Sequence, residues 1–422
     1  MRFAIGALVL LVGASPVRAT PRATNLSQSP TESGGAVVAA EGSLVVVAWI
    51  ESENLTDGLR ATIVASRSID GGDTFSAPTV VAALTGFAAA VDVKVSSGVV
   101  HLVWLANSFT IGEPTGVDYV RSTDGGASFE PIRFVNDSAP AGIPAMAVDG
   151  SRIAVVWTVR GVVYLARSSD AGSAFELPVT AAEGVVDGTA RTALTASSVA
   201  TVWIRRPDAA RSVVERRLIP VSGSDAPGVV AEVASTQGAI GELVLDSEGS
   251  SVVAVWIEAA NGSHGLTFAR SVDDGMTFRV APALAETAGI GFPRLTIDAG
   301  IVHIAFVGAS GRLNYFTVGP ESETPRPAIK LGRKASFADL SARDGVAAAV
   351  WTSGFGRSSR LEYAVGDVAS GPGKAKRLTR AGDRGAGAQM CAEAGVAFAV
   401  WTEPVGETRD VFFARVGAPW AR

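Results

Sequence analysis

The sequence has little of the residue types that usually hold metal ions or carry redox chemistry. Of its 422 residues, one is cysteine and three are histidine. A single cysteine, Cys391, excludes an internal disulfide, and its apolar neighbours predict a buried thiol of the core. No CxxC, HExxH, phosphate-loop or calcium-loop pattern occurs. We therefore expect neither a metal ion nor a cofactor.

Positive charge is also in short supply. The chain has 36 basic and 41 acidic residues, a net charge of −5. A nucleic-acid partner would require a basic face to meet its phosphates, so the sequence argues against one. The fraction of apolar residues is 47%, enough for a large buried core.

Long apolar runs are absent as well. The longest early run, Phe3 to Gly13, follows the basic Arg2 and precedes small and turn residues up to Ala19. It is too short to span a bilayer and has the layout of a secretory signal peptide with cleavage after Ala19. We expect residues 1–19 to be removed, no membrane span, and a mature domain over residues 20–422 that is periplasmic or secreted.

What the sequence does have is a repeat. A run of valine and alanine that ends in an aromatic residue recurs eight times, at intervals of 45 to 55 residues. The terminal aromatic residues are Trp49, Trp104, Trp157, Trp203, Trp256, Phe306, Trp351 and Trp401. A short apolar segment precedes each run, and two further strand-like segments joined by Gly/Asp turns follow it. One repeat is therefore predicted to be four short strands.

The nearly unbroken apolar run of each repeat predicts a strand that is covered on both faces, since a strand wet on one face would alternate. Radially arranged four-stranded sheets meet this condition. We expect an all-β, single-domain β-propeller with eight blades, or seven if one copy is degenerate. The last repeat ends after its third strand, so segment 23–30 is expected to supply its outer strand and close the ring.

Four repeats share a turn of the form Ser-x-Asp-x-Gly-x-(Thr/Ser)-Phe. Serine and aspartate side chains accept hydrogen bonds from backbone N–H groups a few residues on, and glycine allows a positive φ. The residues are Ser68, Asp70, Gly72, Thr74 and Phe75; Ser122, Asp124, Gly126, Ser128 and Phe129; Ser168, Asp170, Gly172 and Phe175, with Ala174 in place of the hydroxyl residue; and Ser271, Asp273, Gly275, Thr277 and Phe278.

This turn resembles the Asp-box, or BNR repeat, of the sialidase superfamily, and the blade period extends the resemblance over nearly the whole mature chain. In that family the boxes join the third and fourth strands on the face away from the ligand. The resemblance thus implies that these aspartates build turns and do not catalyse.

Sialidases of this family use an arginine triad, a tyrosine nucleophile paired with a glutamate, and an acid/base aspartate. Here all four tyrosines, Tyr119, Tyr164, Tyr315 and Tyr363, are predicted in third strands. Arginines recur at one stem position: Arg67, Arg121, Arg167, Arg270 and Arg415. The Arg-Ile-Pro sequence typical of the family is absent. We therefore expect a ligand- or protein-binding scaffold without glycosidase activity; the alternative is a glycoside hydrolase, sialidase-like or directed at another glycan.

The connections from second to third strand are predicted to be long loops that rim the ligand face. Three glutamates each follow a tryptophan by two residues, and paired carboxylates would suit general acid/base work on a glycoside; otherwise they are solvated loop acids. Four arginines would suit an anionic ligand, or are ordinary surface charges. These rim candidates are Glu51, Glu258, Glu403, Arg205, Arg206, Arg357 and Arg360. The expected partner is a glycan or an exported protein, and His101 and His303 are expected in the core.

Overall fold

The computed structural model describes residues 21–417, except residues 57, 109–115, 137–141, 187–188, 222–227, 261–262, 282–285, 288–290, 309, 321, 323 and 381–382. The predicted signal peptide therefore lies outside the described residues. Within the described chain the only helical element is a 3-10 turn at Gly356–Ser358, and all other regular structure is strand. The prediction of an all-β chain is confirmed. No described helix has the length and apolar character needed to cross a membrane.

The strands form antiparallel sheets that follow the sequence repeats. Those of the first half of the chain are β1 (Thr24–Asn25), β2 (Glu32–Glu41), β3 (Leu44–Leu55), β4 (Gly58–Ser68), β5 (Thr79–Ser96), β6 (Val99–Ser108), β7 (Gly116–Ser122), β8 (Arg133–Asn136), β9 (Ala145–Asp149), β10 (Arg152–Val159), β11 (Val162–Ser168), β12 (Val179–Ala182), β13 (Arg191–Leu194), β14 (Ser198–Arg205), β15 (Ser212–Pro220) and β16 (Ala231–Thr236).

Those of the second half are β17 (Ala239–Glu248), β18 (Ser251–Ala260), β19 (Ser263–Ser271), β20 (Arg279–Ala281), β21 (Glu286–Thr287), β22 (Gly291–Asp298), β23 (Ile301–Val307), β24 (Leu313–Val318), β25 (Ile329–Gly332), β26 (Ala335–Arg343), β27 (Val346–Ser353), β28 (Arg360–Asp367), β29 (Gly371–Pro372), β30 (Lys376–Arg377), β31 (Ala386–Glu393), β32 (Val396–Val405) and β33 (Thr408–Val416).

Pairing divides these strands into eight groups, called units 1 to 8 in chain order. Unit 1 is β2–β3–β4 with residues 79–85 of β5, and unit 2 is residues 86–96 of β5 with β6–β7–β8. Units 3, 4, 5, 6 and 7 begin at β9, β13, β17, β22 and β26. Unit 8 is β31–β32–β33, and its fourth strand is β1, with Thr24 opposite Phe413.

The second strand of each unit is buried on both of its faces. Val45 to Trp49 of β3 and Ala347 to Trp351 of β27, for example, are all inaccessible to solvent. One face packs on each neighbouring unit, because Val46 shares a cluster with Leu102 of unit 2, while Val47 shares another with Phe398 of unit 8. The core is therefore a series of apolar layers between sheets, which explains why these strands do not alternate polar and apolar residues.

The first strands of the units lie side by side. Each contacts the first strand of the next unit, in the order β2, β5, β9, β13, β17, β22, β26, β31, and β31 contacts β2. Carboxylates at their ends accept hydrogen bonds from backbone N–H groups in the first turn of the following unit. Glu41 accepts from Gly98 (2.6 Å), and Glu393 of unit 8 accepts from Gly42 of unit 1 (2.8 Å).

Candidate functional site

The four repeated turns join third to fourth strands, and their polar side chains bond inside the turn. In the first, Ser68 Oγ donates to Asp70 Oδ1 (2.6 Å) and accepts from the Gly72 N–H (2.8 Å), and the Thr74 N–H donates to Asp70 Oδ1 (2.9 Å). The same serine–aspartate and serine–glycine bonds recur in the other three turns. Hydrogen bonds from Ser68 and Thr74 lower the pKa of Asp70. These bonds occupy the aspartates as turn-forming groups.

The phenylalanine and the glycine of each turn face inward. Phe75 packs edge-on against Phe413 of unit 8 (ring centroids 4.6 Å apart), and Phe175 does the same with Tyr119 of unit 2 (4.9 Å). Phe129 and Phe278 pack on the layers beside units 2 and 5. Gly126 and Gly275 both have positive φ (85° and 83°). The turn thus fastens each unit to the unit before it.

The stem arginines act between units. Arg67 Nη1 donates to the carbonyl of Asp124 in the turn of unit 2 (2.8 Å), and Arg121 Nη1 donates to the carbonyl of Ala171 in unit 3 (3.0 Å). Arg270 reaches the carbonyl of Gly319 in unit 6 (3.0 Å), and Arg415 reaches Asp73 of unit 1 (3.2 Å). Their periodicity therefore reflects contacts with the following turn.

The three glutamates of the predicted rim lie in strands, which corrects their placement in loops. The second strands run past the tryptophan, so that Glu51 is in β3, Glu258 in β18 and Glu403 in β32. Each accepts a hydrogen bond from the indole Nε1–H two residues earlier, at 3.2, 2.8 and 2.6 Å respectively. Burial raises the pKa of Glu403. The recurring Trp-x-Glu spacing is thus explained by an indole–carboxylate bond in each of these three units. No hydrogen bond or ion pair among the described residues joins Glu51 to Glu403.

In units 4 and 7 the carboxylate comes from the third strand instead. Trp203 Nε1 donates to Glu215 Oε2 (3.0 Å), and Arg205 Nη2 binds the same carboxylate (2.6 Å). Trp351 Nε1 donates to Glu362 Oε2 (3.2 Å), and Arg360 Nη2 binds Glu362 (2.7 Å).

The other two rim arginines, Arg206 and Arg357, lie in different units. Arg206 donates to the carbonyl of Ile240 (3.1 Å), so it links unit 4 to unit 5. Arg357 lies in the 3-10 turn Gly356–Ser358, and its side chain is outside the described residues. The three candidate arginines with described side chains, Arg205, Arg206 and Arg360, are therefore not gathered at one point.

Two tyrosines are fully buried and bonded to histidines. His101 Nδ1 lies 2.7 Å from Tyr119 Oη, and His303 Nδ1 lies 2.5 Å from Tyr315 Oη. Burial raises the pKa values of Tyr119 and Tyr315 above the usual value of a phenol. It lowers the pKa of each histidine to about 4. The histidines belong to the core, as expected. In unit 8 the same two positions hold Phe398 and Phe413, with stacked rings 5.9 Å apart.

These histidines predict a loss of stability in mild acid. A free histidine has a pKa near 6.5, so between pH 6.5 and 4 the unfolded chain binds protons that the folded chain excludes. The contribution of the neutral histidines to the free energy of unfolding is fully present above pH 6.5 and falls as the pH drops towards 4. At pH 5 each of the two buried histidines should lower the free energy of unfolding by about 2 kcal/mol.

The double variant His101→Phe/Tyr119→Phe, which copies the Phe398–Phe413 pair of unit 8, is expected to lose about 2 kcal/mol less than the natural chain between pH 7 and pH 5. Urea unfolding at both pH values measures the difference. Equal losses in the two proteins would mean that His101 is not held neutral by burial.

Charged residues on the first strands were missed by the sequence analysis. One register position holds Asp92, Arg191, Arg294 and Asp339, where units 1, 3 and 5 have Val37, Ala145 and Val244. Arg294 Nε binds Asp339 Oδ1 (3.2 Å). Burial, and then the positive charge of Arg294, lower the pKa of Arg191. The signal in the sequence was a charged residue inside an otherwise apolar first strand.

Two residues further along the first strands, on the same face, one register position carries Lys94 and Asp246. Lys94 Nζ lies 3.6 Å from Asp92, whose negative charge is the main cause of a raised Lys94 pKa. Burial raises the pKa of Asp246 to about 6. Cys391 lies at the same register position and is only partly buried against its apolar layer, which corrects the prediction of a buried core thiol. Desolvation raises the pKa of its thiol to about 11. The described residues contain no group of three or more side chains placed to bind a metal ion.

Two clefts open beside unit 7, at the edge of the sheets opposite the repeated turns. The first has a volume of about 420 Å³ and is lined by Arg312, Lys330, Leu331, Gly332, Arg333, Ser353, Arg360 and Glu362. Its lining has four cationic side chains and one carboxylate, and that carboxylate is already paired with Arg360. Arg312, Lys330 and Arg333 form no ion pair with a described carboxylate. The second cleft, of about 440 Å³, is lined by Ser336, Phe337, Thr352, Gly354, Phe355, Gly356, Ser359, Arg384, Gly385, Ala386 and Gly387.

No protein-family model and no curated protein matches the sequence. Among solved structures, a protein of unknown function from Dyadobacter fermentans is similar over 94% of this chain and 98% of its own, with 11% identity and a TM-score of 0.47. The Trypanosoma rangeli sialidase in complex with the inhibitor DANA is similar over 81% of this chain and 56% of its own, with 10% identity and a TM-score of 0.41. A PL25 ulvan lyase is similar over 92% of this chain and 94% of its own, with 12% identity and a TM-score of 0.46. The likeness to sialidases is a distant one, of fold only.

Proposed function

We propose that the protein is an exported, closed, eight-bladed β-propeller that binds an acidic glycan without hydrolysing it. The eight units would be the blades. Support for a closed ring comes from the contact of β31 with β2, from the Glu393–Gly42 bond and from the pairing of β1 with β33. Export is proposed from the sequence of residues 1–19 alone.

The observation that carries the ligand class is the basic cleft of about 420 Å³ between units 6 and 7. The protein as a whole is acidic, yet Arg312, Lys330 and Arg333 converge here without described carboxylates to neutralise them. Arginine binds carboxylate and sulfate groups through a planar fork of N–H donors. A cavity of this size lies within the range of small-ligand sites. An acidic sugar unit is the chemistry that this lining suits.

The absence of hydrolysis is proposed because the obvious catalytic groups are otherwise engaged. Tyr119 and Tyr315 are buried and bonded to histidines, so neither is offered to a substrate as a nucleophile. Glu51, Glu258 and Glu403 each bond to an indole N–H of their own strand. Most glycosidases require two carboxyl groups facing one glycosidic bond, and sialidases use a tyrosine as the nucleophile.

A glycoside hydrolase remains the second candidate, and one observation favours it. Arg191 and Arg294 occupy the same register position on their first strands as Asp92 and Asp339 do on theirs, and the charge of Arg294 contributes to the lowered pKa of Arg191. Such a group is not periodic in the repeat, and it would suit an anionic substrate held between the first strands.

Binding and hydrolysis are tested together on the chain from Thr20 to Arg422. Calorimetric titration with polygalacturonate is expected to show binding that weakens with salt, and dextran, a neutral polymer, should not bind. Arg333→Glu should lower the affinity at least about tenfold, the effect of losing one charge-assisted hydrogen bond.

The matched control is Lys374→Glu, which makes the same charge change at an exposed residue of unit 7 outside both clefts. It should change the affinity less than about twofold. Equal effects of the two variants would reject the cleft as the site. Turnover of a fluorogenic α-sialoside that is lost in Arg191→Ala would establish the hydrolase instead.

A further inference from the structure

The two clefts beside unit 7 are lined by neighbouring residues of the same two strands. There Ala335 and Ser336 of β26 pair with Ser353 and Thr352 of β27. Arg333 and Ser353 face the basic cleft, whereas Ser336 and Thr352 line the second cleft. A ligand longer than one cleft can therefore reach from one to the other across a few residues.

The second cleft offers aromatic surface to solvent. Phe355 is 69% exposed and Phe337 is 60% exposed, although phenylalanine is usually buried. Phe355 is held in place by its own backbone, because its carbonyl accepts from Ser358 N–H (3.2 Å) and Ser358 Oγ (2.9 Å). The lining of the second cleft thus includes exposed apolar surface on a constrained stretch of backbone.

Phe337 also has a costly backbone conformation. It lies at a β-bulge of β26 with φ +49°. A left-handed conformation costs a residue with a side chain roughly 1–2 kcal/mol. The bulge recurs in other first strands, with Gly35 and Gly387 at φ +61° and +60° but also Ala90 and Glu242 at +54° and +50°. The bulge turns the Phe337 side chain out of the regular pattern of the sheet.

Resting on the proposed function, we infer that the two clefts form one groove for a linear acidic oligosaccharide. Its acid groups bind Arg312, Lys330 and Arg333, and an apolar sugar face of a neighbouring unit stacks on Phe355. Arg384, exposed at the far side of the second cleft, extends the positive charge along the same path. The charge of the lining and its aromatic surface together select a polyanion that has flat apolar faces, in preference to an acidic peptide.

The test compares oligogalacturonates of two and six units on the natural chain and on Phe355→Ala. The hexasaccharide is expected to bind more tightly than the disaccharide, and Phe355→Ala should weaken the hexasaccharide about tenfold, with less than a twofold effect on the disaccharide. Phe134→Ala, which removes another exposed ring (54%) from unit 2, is the control and should change neither affinity. Urea unfolding of each variant verifies that it is folded.

The outcomes distinguish the proposed function, an acidic glycan in the basic cleft, from the proposed groove that joins the two clefts. If Arg333→Glu abolishes binding while Phe355→Ala leaves the hexasaccharide affinity unchanged, the basic cleft stands and the groove is wrong. If a sulfated hexasaccharide and the galacturonate both fail to bind the natural chain, both proposals are wrong. If poly-glutamate binds as tightly as the hexasaccharide and is insensitive to Phe355→Ala, the site selects charge alone and the groove is wrong.

Discussion

Replacing Gly172 with alanine is expected to lower the free energy of unfolding by about 3 kcal/mol, or to prevent folding. Gly172 has a φ of +78°, and a Cβ built on it would overlap Tyr119 Oη of unit 2. Tyr119 cannot move aside, because it is fully buried between His101 and Phe175. The substitution therefore combines a left-handed backbone cost with overpacking in a layer that joins two units.

Gly71 provides a matched comparison. It also has a positive φ, +72°, but its Cβ would meet nothing within 4 Å. At the same place in the turn of unit 3 the chain already has an alanine, Ala171, with φ +56°. Gly71→Ala should therefore cost only about 1 kcal/mol, the backbone term alone.

Urea unfolding of the two glycine variants measures the contrast. Equal losses would show that φ alone decides at both positions, and that the approach of Tyr119 to the turn does not matter.

Removing β1 is expected to have an effect of comparable size. A chain that begins at Glu32 loses Leu26, which is buried among Phe398, Val400 and Phe413, and deleting such a side chain costs about 2–5 kcal/mol. It also loses the Leu26 N–H···Val411 carbonyl bond (2.8 Å), the Val411 N–H···Ser27 Oγ bond (2.9 Å) and the Asn25–Asp410 bond (2.6 Å). The strand β33 then becomes an open edge, which promotes aggregation.

The control for this deletion is a chain that begins at Arg22, which keeps every one of these contacts and should unfold like the natural chain. Light scattering and urea unfolding compare the two. Adding a synthetic peptide of residues 21–31 should restore part of the lost stability of the short chain, since the peptide can pair with β33. A short chain that unfolds at the natural urea midpoint would show that β1 contributes nothing.

Much of the fold was readable because it repeats. The spacing of Trp49, Trp104 and their counterparts located the second strands, since a strand packed between two sheets must be apolar throughout. The repeated turn was readable for a similar reason, because Ser68, Asp70 and Gly72 bond to one another within five residues of chain. Contacts that are local in sequence leave a pattern in sequence.

The candidate site was less readable, because its parts are distant in sequence and follow no period. Arg312 and Arg360 meet in one cleft from different units, and single-chain periodicity gives no information on how two neighbouring sheets are offset. The polar segment around Glu51 predicts a loop, whereas the pairing of Glu51 with Thr62 keeps it in a strand. Tertiary pairing here overrides the local signal.

The pairing of β1 with β33 also sets an order of events during synthesis. Thr24 is among the first described residues to emerge and its partner Phe413 among the last, so the sheet of unit 8 cannot be assembled until nearly the whole chain is available. Until then the apolar side of Leu26 and the two faces of β32 have no complete cover. A chaperone that binds exposed apolar surface would therefore meet such surface on every chain that is still being synthesised. It would be released from the chain once β33 has paired with β1.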